Sequence, residues 1–274
     1  MKRCQALLGT YVEIMIPEKY STQQLNHAFR QAFQEIQLVE QLMSFHRPSS
    51  DLNQMNQYAF QMDVAVHPYT YVVLSMAKQL FNDTQGAFDC SMAPELQSWG
   101  LLPSIFEIDM RCRGNLDDLN LKSHQMVSFT KPLCLDLGGI AKGYAVDRAI
   151  EILKMNGIAE AVVNAGGDMR VLGQYVQEIY IRHPLNPRQL IYIGQLSDGA
   201  IATSAIYYSR GRGIYEKQSA LVVPQTKTSI LKNQSYSVLA QSCMVADGLT
   251  KALAIHQDEQ AGYLKTYKAA GVIL

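Results

Sequence analysis

One stretch constrains the fold more than any other: LCLDLGGIAKGYAVDRAIEIL, residues 133–153. It reads as a short apolar strand over 133–137, two adjacent glycines, and a helix over 141–155 closed by Asn156 and Gly157. A helix N-terminus presents unpaired N–H groups and the positive end of the helix dipole, which suits a phosphate. Glycines let a ligand approach the backbone closely. Asp136 ends the strand beside that point, and Lys142 brings a positive charge to the first helical turn. The same residues also suit a tight strand–helix turn with a surface lysine, since paired glycines before a helix are a weak signal alone.

Composition narrows the class. The 274 residues are 48% hydrophobic and 18% charged, an ordinary globular balance. Lys plus Arg and Asp plus Glu both number 24, which argues against broad capture of nucleic acid or an anionic membrane. The five cysteines (Cys4, Cys90, Cys112, Cys134, Cys243) are scattered without a C-x-x-C pair, and read as reduced thiols of a cytoplasmic protein rather than a metal site. No run reaches the roughly 18 apolar residues of a membrane helix. The opening MKRCQALLGTYVEIMIP lacks the long apolar core of an export signal, so a soluble, unexported chain is expected.

No repeat or linker divides the chain, and one domain over 1–274 is expected. GTYVEIMI alternates as a first strand. Leu25, Phe29, Ala32, Phe33, Ile36, Val39 and Leu42 recur at helical spacing between Ser21 and Met43, with Ser21 or Thr22 as N-cap. A second helix is predicted over roughly 69–82, stopped by Gly86, and polar strands and turns over 105–131. AEAVVNAGGDMRVLG reads as a strand broken by Gly166-Gly167 and resumed, with a β-bulge as the plain alternative to a ligand contact. EIYIRHP, LIYIGQL, GAIATSA, SALVVP and SYSVLA are further strands, and a last helix starts near Met244. Early helices followed by many short strands predict an α+β fold with mixed or antiparallel sheets and flanking helices.

Three further stretches carry chemistry-bearing residues. MSFHRPSSDLNQMN places His46 and Arg47 on a loop after the first long helix. QGAFDCSMAPELQSWG sets Phe88 beside Asp89, although such aromatics usually belong to a core. QSCMVADGLTKAL puts Asp247 and Lys251 one helical turn apart among apolar neighbours, an unusual setting for a surface ion pair.

In sequence order, ALLGTYVEI, MSFHRPSSDLNQMN, GAFDCSMAPELQSWG, LDLGGIAKGYAVDRA, VNAGGDMRVLG, AIATSAIYYSR and SCMVADGLTKAL resemble the motifs of the ApbE family. The resemblance runs from about Leu7 to Leu253, and LDLGGIAKGYAVD is its most specific part. It implies an FAD:protein FMN transferase, which moves FMN from FAD to a Thr or Ser hydroxyl of an acceptor flavoprotein and releases AMP, assisted by Mg²⁺. It also implies FAD contacts from Leu8, His46, Ala87, Phe88, Asp89, Asp136, Lys142 and Met244. Metal ligands would be the Gly139 carbonyl and Asp247, with Asp247 and Lys142 at the reacting phosphates.

The chain departs from the family pattern in two places. Where the family carries a segment like HIIDPRTG, this sequence has ALVVPQTK, with Ala220 for the His, Val223 for the Asp, Gln225 for the Arg and Lys227 for the Gly. Lys251 stands where the family has a Thr, and an ammonium would compete with a divalent ion for Asp247. These departures raise two alternatives: an FAD-binding protein that has lost transfer, or one that hydrolyses FAD to FMN and AMP.

Overall fold

The structure is a computed structural model, described here for residues 1–105, 114–206 and 218–274. The last four residues of AIATSAIYYSR and part of the 105–131 region, with Cys112, lie outside the described residues. The fold is α+β. Its largest sheet has seven strands, in the order Lys2–Leu7, Thr10–Met15, Ala161–Ala165, Asp168–Leu172, Gly199–Ala205, Ser235–Ala240 and Ala270–Ile273, every neighbouring pair antiparallel. A three-stranded sheet (Val64–Ala65, Met126–Phe129, Leu119–Lys122) and two ribbons complete the strands among the described residues.

Helices are α1 (Thr22–Met43), α2 (Asp51–Tyr58), α3 (Pro68–Asp83), α4 (Ala93–Ser98), α5 (Ala141–Met155), α6 (Cys243–His256) and α7 (Gly262–Thr266). The apolar stripe expected for α1 is its buried face, from Leu25 through Met43, and the Ser21 hydroxyl caps it by accepting from Gln24 N–H. α5 has the expected bounds and packs on both α1 and α6. The core lies between these helices and the large sheet, where Val12, Ile14, Val163, Ala202 and Val238 are fully buried.

Four expectations need correction. The strand over 133–137 does not form. Those residues run extended without a ladder: Asn56 of α2 donates its side-chain amide to the Leu135 carbonyl (2.9 Å) and accepts from Leu135 N–H (2.8 Å), and Asp136 N–H donates to the Cys90 carbonyl. α2 itself occupies part of what reads as a loop. The first strand is preceded by an edge strand at Lys2–Leu7, and α6 is followed by α7 and a final strand. Gly166 and Gly167 form a hairpin turn rather than a bulge: Ala165 pairs with Asp168, and both glycines have positive φ.

Candidate functional site

α5 and α6 cross at their N-terminal turns, and the close approach is built on Gly143. A Cβ there would lie 2.8 Å from Met244 Cα and closer still to the Cys243 carbonyl, so only glycine fits. The crossing is locked by Asp147 of α5. Its carboxylate accepts from the backbone N–H of Cys243 (3.0 Å) and Met244 (2.9 Å), from the Ser242 hydroxyl (2.7 Å) and from Arg170 (2.7 Å). One side chain thus satisfies the first N–H groups of α6 and sits at the positive end of its dipole.

This joint sets four charged groups around one point. Lys142 of α5 ion-pairs with Asp168 at 2.6 Å and lies 3.5 Å from Asp247. That short contact is the partner the buried Asp168 oxygen has. Asp247, 1% exposed, accepts from Gly143 N–H at 3.2 Å and from the Lys251 ammonium, which also donates to the Asp247 carbonyl at 2.9 Å. Two lysines therefore face two buried carboxylates.

Electrostatics sort these groups. Burial alone would raise the Asp247 carboxyl, but Lys142 and Lys251 pull it below the usual carboxylate range. Asp168 goes the other way, raised by burial and by the nearby Asp247 charge. Burial would lower the Lys142 ammonium, yet Asp168 and Asp247 hold it well above its ordinary value. Lys142 is thus held charged between Asp168 and Asp247.

A cavity of about 60 Å³ adjoins the cluster. Its walls include Asp89 from the turn after α3, Asp136 and Gly139 from the paired-glycine turn, Lys251 from α6, and Ala220 and Val222. The cavity is partly open to solvent. Two other surface depressions on α1 share no residue with the cluster. Asp89 is pushed up to about 6, chiefly by burial, and Asp136 is also raised by burial, partly offset by Gly138 N–H, His46 and Lys142.

Seven of the ten expected site residues fall into two groups. Ala87, Phe88, Asp89, Asp136 and Gly139 line one cavity, and Lys142 and Asp247 form the charged cluster beside it. Leu8, His46 and Met244 do not line it. Leu8 sits in a hairpin turn and donates its N–H to Glu40 (2.9 Å), His46 is exposed but near enough to Asp136 to favour its anion, and Met244 is held by Asp147. The sequence motifs contain Asp168 but assign it no role, and none of them singles out Asp147. A carboxylate mid-helix in an otherwise apolar turn, GYAVDRA, was the signal for Asp147.

The donor set does not fit a divalent ion on Asp247 in this arrangement. The Lys251 ammonium already takes that carboxylate, and its stem covers Gly139, where an added Cβ would lie 3.0 Å from Lys251 Cε. Among the described residues, no three His, Cys, Asp or Glu side chains are grouped to hold a metal.

The ApbE family model matches residues 8–273, and the chain belongs to the ApbE family. An FAD:protein FMN transferase of Vibrio cholerae is 30% identical over 239 residues, covering 81% of this chain and 71% of that protein. One from Buchnera aphidicola is 25% identical, covering 90% and 77%. Among solved structures, a mutant of the flavin transferase ApbE from Vibrio cholerae superposes with a TM-score of 0.81 at 26% identity, over 100% of this chain and 92% of that one. The Thermotoga maritima ApbE protein shares the fold, with a TM-score of 0.80 over 95% and 88% at 24% identity. No helix among the described residues is long and apolar enough to cross a membrane.

Proposed function

We propose that this protein is an FAD:protein FMN transferase whose acceptor is a flavoprotein carrying a reactive Thr or Ser. The observation that carries the reading is the convergence of separate stretches of chain on one place: Asp89 after α3, the Asp136–Gly139 turn, Lys142 of α5, Asp168, and Asp247 with Lys251 on α6. An anionic diphosphate has two ammonium groups to meet there, and polar and apolar walls beside them for the rest of FAD.

In the reaction, the acceptor hydroxyl oxygen attacks the phosphorus on the FMN side of the diphosphate. A new P–O bond forms, the bond to the bridging oxygen breaks, AMP leaves with that electron pair, and the hydroxyl proton is released. Lys142 and Lys251 hold negative charge on the phosphates, and Asp247 and Asp168 hold the lysines in place. The Mg²⁺ that the family resemblance implies has no role in these steps, because Lys251 stands on its carboxylate. A reducing compartment suits the buried thiols of Cys90 and Cys243, which burial holds protonated.

One observation supports a second reading. Ala220, where relatives resembling HIIDPRTG would have a histidine, lines the cavity and offers no proton acceptor. An FAD-binding protein without transfer, or one releasing free FMN and AMP, follows if that histidine is indispensable. Incubation with FAD and a flavoprotein acceptor decides: covalently bound FMN supports transfer, free FMN with AMP supports hydrolysis, and unchanged FAD supports binding alone.

A further inference from the structure

We propose that Lys251 is a tethered cation that replaces the divalent ion, so that this site takes FAD as its uncomplexed diphosphate rather than as a metal complex. The inference rests on the site being an FAD site and goes beyond it in naming the ionic form of the ligand.

Three observations carry it. The ammonium makes two contacts with one residue, the carboxylate and the backbone carbonyl of Asp247, and so uses two oxygens suited to a cation. Its aliphatic stem lies over Gly139, filling the space that the absence of a side chain there leaves open. The far side of Asp247 is taken as well, by Gly143 N–H at 3.2 Å and by Lys142 at 3.5 Å. A divalent ion would have to displace an ammonium from a fully buried carboxylate while sitting between two like charges. The ammonium is the same kind of partner for a phosphate oxygen, carried on a side chain one helical turn after Asp247 and bordering the cavity that Asp136 and Gly139 line.

The consequence is a linkage statement. Where a metal and a dinucleotide bind one site together, each raises the affinity of the other by the same factor, typically about 5–150-fold. Here that coupling is expected to be absent. FAD binding to the wild-type protein is measured by flavin fluorescence in EDTA and in millimolar Mg²⁺, and Mn²⁺ binding to the FAD-free protein by electron paramagnetic resonance. The expected result is an FAD affinity unchanged within about twofold, with no stoichiometric Mn²⁺ site. Lys251→Thr uncovers Gly139 and Asp247, and is expected to gain Mn²⁺ binding and Mg²⁺-dependent FAD affinity. Tightening of FAD by tenfold or more with Mg²⁺ in the wild type, or equal Mn²⁺ binding in wild type and variant, overturns the inference while leaving the FAD site intact. No FAD binding under either condition overturns the functional reading and this inference with it. The wild-type titrations decide even if the variant fails to fold.

Discussion

The Lys142 ammonium and the Asp168 carboxylate lie 2.6 Å apart, one on the first turn of α5 and the other at the start of a strand of the large sheet. Asp168 is buried and Lys142 only half-buried, so the pair is a desolvated anion held by a partly solvated cation. Removing the cation strands the buried Asp168 carboxylate and leaves Asp247 with Lys251 as its one cation. Lys142→Met is expected to lower stability by about 3 kcal/mol, the low end for breaking a buried pair because Lys142 keeps some water. Urea unfolding measures it, and Lys142→Met with Asp168→Asn is expected to regain part of the loss. Additive losses in the double variant would show that the two side chains are not coupled.

Asp147 makes a separable contribution. Asp147→Ala leaves the N–H groups of Cys243 and Met244 and the Arg170 guanidinium without their acceptor. A loss of about 2–4 kcal/mol is expected, since several buried donors are orphaned together. Hydrogen exchange is expected to speed up first at the N-terminal turn of α6. Unchanged protection there would remove Asp147 from its capping role.

Gly143→Ala tests the helix crossing directly. The added methyl meets backbone atoms of Cys243 and Met244, which cannot rotate away as a side chain could. A melting temperature several degrees lower is expected, together with weaker FAD binding as Asp247 and Lys142 separate. An alanine variant as stable as the wild type would mean that the helices have room to part.

Asp89 sets a pH dependence of definite sign. Its carboxyl is raised from 3.8 to about 6 in the folded protein, so between those values the folded chain holds more proton than the unfolded one. Stability therefore falls as pH rises through that window and is flat above it, as far as this group is concerned. Asp136 shifts in the same direction, so the informative quantity is wild type against Asp89→Asn. The variant is expected to gain stability relative to wild type on going from pH 4 to pH 7. A constant difference would show that Asp89 is solvated.

Local signals made part of this molecule legible in its sequence. The 3.6-residue spacing and Ser21 cap gave α1, and the paired glycines with Asn156 gave both bounds of α5. The run Leu133–Leu137 misled because apolarity reports burial, not ladder pairing. Its backbone is bonded instead by the Asn56 side chain and the Cys90 carbonyl, which lie far away in sequence. α2 escaped notice because DLNQMNQY is mostly polar, its buried face being only Leu52, Asn53 and Met55. The edge strand Lys2–Leu7 has little buried side chain and so no alternation to read. At the site, the i, i+4 spacing put Asp247 and Lys251 on one face, and the structure pairs them. That Lys142 would reach both Asp168 and Asp247 depends on the helix crossing, which no local pattern encodes.

The most direct measurement is a crystal structure of the protein soaked with FAD in EDTA. The account expects the diphosphate oxygens within ~3 Å of the Lys142 and Lys251 ammonium groups, against the Gly138–Gly139 turn. FAD bound elsewhere, with both lysines still closed on Asp168 and Asp247, would contradict it.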